Sequence, residues 1–246
     1  MTLTVPTDRP GPVPPAEATL ADLVLADASR ARVLERFGLR FCCDGDSTLA
    51  QASANAGVPL AEVSAALNLT DATRVRPAQP ADDLASLTRQ IVETHHSALW
   101  GALLRTQDLV DTVARVHGWH HPHLRRVREL FSALVADLGP HLIREERVVF
   151  PAIAQLEATR RPVDTGQGPL VDLLDELVGE HDVMGAVLGE IQRITGDFTT
   201  PHDGCVTFRE MNEALRAMQA HLHQQLHQEN NVLFPAARAL AEQVED

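Results

Sequence analysis

The chain puts polar, metal-competent side chains where helices ordinarily carry leucine. His95, His141, Glu145, His181 and Glu229 each fall on an apolar stripe of helical period, in positions that face a protein interior. An ionised carboxylate in such a place is costly unless a positive group pairs with it. No Lys or Arg shares these stripes, so a metal cation is the economical partner. One such histidine is more often a satisfied core residue than a ligand, but five polar residues on four helices reverse that expectation. His141 and Glu145 are four apart, on one helix face and about 6 Å apart along the axis. That offset lets the imidazole bind one metal ion while the carboxylate reaches across to a second. Two bridging glutamates, with terminal imidazoles from the other two helices, then make a dinuclear centre. Imidazole with carboxylate suits iron, zinc or manganese, and iron is the member of that set that makes such a centre redox-active. The pattern is neither the Glu-x-x-His of ferritin-like bundles nor the H-E-x-x-H of zinc proteases.

Four long amphipathic helices are needed to carry these residues. Leu84, Leu87, Ile91, Ala98 and Ala102 mark the first stripe, with His95 four after Ile91 and three before Ala98. Leu134, Leu138, Val149 and Ala152 mark the second, where Gly139-Pro140 is expected to kink the helix by removing one hydrogen bond. The third runs through Leu173, Leu177, Met184, Leu188 and Ile191, and the fourth through Met211, Met218, Leu222, Val232 and Ala236. Helices of this kind with short to medium connections form a bundle. The bundle contains a repeat: "HLIREERVVFPA" (141–152) aligns without a gap with "QLHQENNVLFPA" (225–236), and His95 in "VETHH" then matches His181 in "VGEHD". Approximate twofold symmetry of two helical hairpins follows. The repeat breaks at one place, because Gln225 stands where His141 predicts a histidine. His223 and His227 lie about 200° round the helix from that face, and His221 is about 12 Å from Glu229 along the axis. None replaces the missing imidazole without a shift of helix register.

Ahead of the bundle, the proline-rich residues 1–18 read as a disordered tail. A domain of four short helices is expected over 19–69, with Thr19 capping "LADLVLAD", Ser29 and Gly38 bracketing "RARVLERFGL", Ser47 capping "TLAQASANAG", and "VPLAEVSAALN" last. Residues 70–81 read as a linker and 82–246 as the bundle. The adjacent Cys42 and Cys43 lie in the polar turn "CCDGD" before a helix N-terminus, where the dipole favours thiolate. The plainer reading is two small buried residues. Three cysteines do not make a disulfide framework and adjacent ones bridge poorly, so free thiols in a reducing compartment are expected, with Cys205 incidental. "HGWHHPH" (117–123) reads as a solvated turn, and Glu180 as a support for the metal ligands or the lining of an access path. The formal charge of -13 repels a phosphate backbone, which argues against nucleic acid. No segment approaches the ~20 apolar residues of a membrane helix, so the protein is read as cytoplasmic.

From Asp82 to Glu242 these residues resemble hemerythrin-like di-iron bundles. Together with "FGLRFCCDGDSTLAQA", the chain is similar to the iron-sulfur cluster repair di-iron proteins, the repair of iron centres family; "FCC-G" and "ENNVLFP" are specific as a pair. The resemblance implies an all-α protein, with a small N-terminal helical Cys-Cys domain and a C-terminal hemerythrin-like four-helix bundle. It implies two non-haem irons bound by His95, His141 and His181 and bridged by Glu145 and Glu229, with a histidine at position 225. Because Gln225 stands there, one iron is expected to be short of a ligand and completed by the Gln225 amide or water, which leaves open a readily released ion or a vestigial second site. It implies that Cys42 and Cys43 handle iron or a nitrosyl, although the family more often has Gly than Asp44 after the pair, and an acid there opposes a lowered thiol pKa. The implied function is repair of clusters damaged by nitrosative or oxidative stress through iron donation, with damaged iron-sulfur proteins as clients. Two other classes stay open from the residues alone: an oxygen or nitric oxide sensor or carrier, and a nitric oxide-reducing di-iron enzyme. Self-association as a homodimer is also left open.

Overall fold

The computed structural model describes residues 13, 15–69, 73, 75 and 83–245, so most of the expected tail and linker lies outside the described residues. The chain divides into two compact units at Pro80. Both are helical, and the described residues contain two isolated β-bridges but no strand. None of the described helices is long and apolar enough to cross a membrane.

The first unit holds α1 (Leu20–Ala26), α2 (Arg30–Arg36), α3 (Leu49–Ala56) and α4 (Leu60–Ala66). Its core is Leu20, Leu23, Leu34, Phe41, Leu49 and Val63, all fully buried. Thr19 caps α1 as expected, its hydroxyl accepting from the Asp22 N–H at 3.0 Å. Ser29 makes no side-chain cap bond; Asp27 accepts from both its N–H and its hydroxyl instead. Thr48, not Ser47, caps α3, and the reason lies three residues on. Gln51 returns a bond to the Thr48 N–H at 3.0 Å while its own N–H donates to the Thr48 hydroxyl at 3.2 Å. Ala50, three after Ser47, has no side chain to do this. The end of the expected tail is also built in: Ala16 and Ala18 carbonyls accept from Ala50 and Leu49, and Val13 exchanges two 3.0 Å backbone bonds with Val75.

The second unit has four helical arms. The first runs α5 (Leu84–Ile91), a π-turn (Val92–His96) and α6 (Ser97–His117); the second α7 (His123–Arg144), a π-turn (Glu145–Val149) and α8 (Phe150–Thr159). The third is α9 (Leu170–Ile194), and the fourth α10 (Val206–Gln228), a π-turn (Glu229–Leu233) and α11 (Phe234–Glu245). Contacts run from α6 to α7, α7 to α9, α9 to α10 and α10 back to α6, which closes a bundle. Pro140 lies inside α7, which continues past it to Arg144.

The π-turns decide which residues face inward. A π-turn adds one residue to a helical turn, so everything beyond it advances by one position. In the first arm the Ser97 N–H reaches the Val92 carbonyl five residues back, and the Ser97 hydroxyl bonds the same carbonyl at 3.1 Å. The stripe that includes Ile91 therefore continues at His96, Leu99 and Leu103, all buried, and not at Ala98 and Ala102. In the fourth arm the stripe likewise passes to Leu233 and Ala237 instead of Val232 and Ala236. Two of the turns begin at the repeated glutamates, six residues before Pro151 and Pro235. A proline has no N–H for the carbonyl four residues back and crowds it, and a widened turn there relieves both defects.

On one side of the inward-facing polar residues lies an apolar core that includes Leu84, Ile91, Val149, Phe150, Leu177, Leu233 and Phe234. Leu177 is fully buried in it. Leu177→Ala is expected to destabilise the bundle by about 2–5 kcal/mol, read from the denaturation midpoint of the full chain.

Candidate metal centre

The bundle interior gathers His96, His141, Glu145, His181, Gln225 and Glu229, each at most 2% exposed. Two overlapping groups of potential ligand atoms share Glu145: one with His141 and His181, the other with His96 and Glu229. Glu145 presents one oxygen to each group, and Glu229, a member of the second, also approaches His181 of the first. Glu145 Oε1 lies 3.4 Å from His141 Nε2 and 3.7 Å from His181 Nε2, while its Oε2 lies 3.4 Å from His96 Nε2. Glu229 Oε2 lies 3.5 Å from His181 Nε2, while its Oε1 lies 3.7 Å from His96 Nε2. Both carboxylates thus span two neighbouring positions, one lined by two imidazoles and the other by one.

His95, expected at this centre, is not in it. The extra residue of the first π-turn carries His96 there instead, and His95 packs against His221 with ring centroids 4.9 Å apart. Burial, then the neighbouring His221 and His96, lowers the His95 imidazole to about 4. The histidine doublet leaves the register ambiguous by one, but the repeat contains a hint. Positions 96 to 141 are 45 apart, nearer than 95 to the 44 that separate 181 from 225.

Each histidine at the centre offers Nε2 inward and anchors Nδ1 elsewhere. His96 Nδ1 meets Glu146 Oε1 at 2.9 Å, His141 Nδ1 meets Glu180 Oε2 at 2.6 Å, and His181 Nδ1 meets Asn230 Oδ1 at 2.7 Å. Such partners fix the tautomer and ring orientation of a metal ligand. Glu180, itself held by Arg144 Nη2 at 2.6 Å, takes the supporting role expected of it. Glu146 and Asn230 were not foreseen, although the repeat makes them equivalent: each follows its glutamate and holds the histidine of the preceding arm.

Electrostatics fit a cation. Burial disfavours protonation of His96 and His141, yet the close carboxylates of Glu145 and Glu229, with Glu180 bonded to His141, outweigh it and raise both to about 10. Burial also pushes Glu145 up, but His141, His181 and His96 hold it well below the usual carboxylate range. Burial and the charge of Glu145 together push Glu229 up. The pair attracts protons because nothing else neutralises it, and metal ions would displace them. Glu145 Oε1 and Oε2, Glu229 Oε2 and Gln225 Oε1 are buried with no hydrogen-bond partner. That orphaned donor set is one a metal would satisfy. Gln225 Nε2 donates to Glu229 Oε1 at 3.0 Å and lies 3.1 Å from His96 Nε2, so its amide occupies the place of the missing imidazole.

The comparisons agree with this geometry. Residues 87–237 match the hemerythrin HHE cation binding domain. The chain belongs to the hemerythrin HHE family. Its N-terminal unit matches ScdA_N, a domain of unknown function (DUF542), over residues 16–71. A Staphylococcus epidermidis relative called iron-sulfur cluster repair protein ScdA is 26% identical over 227 residues, covering 89% of this chain and 96% of its own. Iron-sulfur cluster repair protein YtfE of Salmonella paratyphi B is 27% identical over 220 residues, with the same coverages.

In the N-terminal unit of this hemerythrin-family chain, Cys42 is buried and Cys43 half-buried, with sulfurs 3.5 Å apart and no disulfide. The Arg40 guanidinium grips Asp44 through bonds of 3.0 and 3.1 Å, which offsets the acid expected to oppose thiolate formation. At the end of α6, about 30 Å along the helix from His96, the "HGWHHPH" turn places His117 Nε2 3.2 Å from Cys205 Sγ and His121 Nε2 3.1 Å from Asp203.

Two outcomes are expected. His96→Ala should reduce the iron held at Glu145 and Glu229, while His95→Ala leaves it unchanged; Mössbauer spectra of iron-loaded protein distinguish them. In the metal-free protein, His96 and His141 are raised from 6.5 to about 10. Their stabilising contribution is therefore complete below 6.5 and is lost as pH climbs toward 10. The melting temperature of the metal-free chain should fall across that window, and that of the metal-loaded chain should fall less.

Proposed function

We propose that this protein repairs iron-sulfur clusters damaged by nitrosative or oxidative stress, acting on damaged iron-sulfur proteins in the cytoplasm and supplying iron from a pair of ions in its bundle. The observation that carries the reading is the inequality of the two positions. Glu145 Oε1, Glu229 Oε2, His141 and His181 surround one, whereas the other has Glu145 Oε2, Glu229 Oε1, His96 and only the Gln225 amide. An amide oxygen is a weaker donor to iron than an imidazole nitrogen, so the ion beside Gln225 is the one the protein gives up. The names of the relatives, over nearly their full lengths, support the same reading.

Bound iron supplies the ion that a damaged cluster has lost. The chain's residues do the rest. Glu145 and Glu229 hold the charge of the pair in a dry interior, and Glu146, Glu180 and Asn230 keep the imidazoles aimed at it. Gln225 can turn its amide to present Oε1, at the cost of its bond to Glu229. Cys42 and Cys43 offer two sulfurs close enough to take one iron or a nitrosyl between them.

The test is transfer of iron from the loaded full-length protein to a [4Fe-4S] protein damaged by nitric oxide, followed by recovery of cluster absorbance. Loaded wild type should restore the cluster faster than an equal amount of free ferrous ion. Gln225→His should slow release to a chelator roughly tenfold or more, and Cys42→Ser with Cys43→Ser should reduce transfer without emptying the bundle. Recovery no better than with free iron would overturn the proposal.

A further inference from the structure

We propose that His95 and His221, between α6 and α10, form an additional site for a divalent cation such as ferrous iron, outside the pair held by the two glutamates. His95 is 94% buried, as its exposure is 6%. Its Nδ1 has no hydrogen-bond partner, nor has Nε2 of His221 or Oε1 of Gln228, whose side chain lies within bonding reach of the His95 ring. Two imidazole nitrogens on two facing arms are therefore left unsatisfied beside each other.

The ring geometry matches that of imidazoles already placed around a metal position. His141 and His181 at the centre have ring centroids 4.8 Å apart and planes at 65°. His95 and His221 have centroids 4.9 Å apart and planes at 59°. Two ring nitrogens about 2.0–2.1 Å from one ion require a separation of this order.

The twofold repeat explains how the site arises. The register that pairs His141 with Gln225 and His181 with His96 also pairs Glu180 with His95 and Asp137 with His221. Glu180 on the third arm supports His141 on the second through Nδ1. In the equivalent pairing of the first arm with the fourth there is no imidazole at position 225 to support, and a histidine, His95, stands in place of the carboxylate. His95 thus has neither the chemistry nor the partner of a supporting residue, and is left as a donor beside a second imidazole.

A path to it exists. His221 lines a cavity of about 480 Å³ between α6 and α10, with Glu210 and Glu213 on the same wall set and Arg105 also present. His221 is also one helical turn, about 6 Å, before Gln225. An ion at His95 and His221 is placed to load the corner that Gln225 leaves short of ligands. That loading role rests on the repair reading; the existence of the site does not.

Anaerobic titration of the full-length protein with Co(II) alone, read by ligand-field absorption and equilibrium dialysis, separates the two. A Glu145→Gln/Glu229→Gln variant, which lacks both bridging carboxylates, should still take up a single cobalt equivalent. Adding His221→Asn, or separately His95→Gln, should abolish it, while His221→Cys, which keeps a donor, should retain it. Uptake unchanged by His221→Asn and by His95→Gln would overturn the site. In the otherwise wild-type chain, His221→Asn should slow loading of the bridged pair with Fe(II) roughly tenfold. An unchanged loading rate would overturn the loading role. Failure of the wild-type pair to load at all would overturn the repair reading and leave the cobalt count standing.

Discussion

Two carboxylates buried side by side without Lys or Arg are the constraint on which the bundle depends. Glu145 and Glu229 are fully enclosed, and among the described residues the raised imidazoles of His96 and His141 offset them. Leaving one such charge uncompensated costs several kcal/mol, comparable with the whole stability of a domain. The interior is therefore organised to supply positive charge: three Nε2 atoms point inward, and each Nδ1 is anchored by Glu146, Glu180 or Asn230. Metal binding and folding in this half of the chain are one thermodynamic problem.

The device that meets the constraint is local and backbone-based. Three π-turns sit at the ligand motifs, and two of them answer a proline six residues beyond a glutamate. A π-turn is strained relative to an α-turn and survives where packing or ligation over-determines it. Here it brings both residues of a histidine doublet into the interior, His96 to the centre and His95 to the face of His221. The same insertion moves the apolar stripes past the turns, so the hydrophobic core and the polar centre stay in phase.

The twofold arrangement makes the departures from it informative. Equivalent positions hold His141 and Gln225, Glu180 and His95, Glu146 and Asn230. Where the second arm meets the third, His141 is an imidazole fully supported by Glu180, whereas where the fourth meets the first an amide replaces that imidazole and a histidine replaces its supporting carboxylate. Two neighbouring positions with unequal potential ligands follow from these exchanges.

Much of this was legible in the residues themselves. Glutamates and histidines on apolar stripes, the gap-free match of 141–152 to 225–236, and the anomaly at Gln225 are covalent facts, and helical periodicity turns them into a buried polar centre on four arms. Thr19 as a cap and Glu180 as a support were readable for the same local reason. Tertiary structure decided what period alone does not. Unbroken helical period places His95 on the stripe, and His96 takes its place only because of a π-turn whose cost is met by packing elsewhere in the bundle. Likewise Ser47 was the expected cap, and Thr48 takes the role because the Gln51 side chain closes on it. Periodicity states which residues share a face to within one position; the last position is set by hydrogen bonds and contacts between elements far apart in the chain.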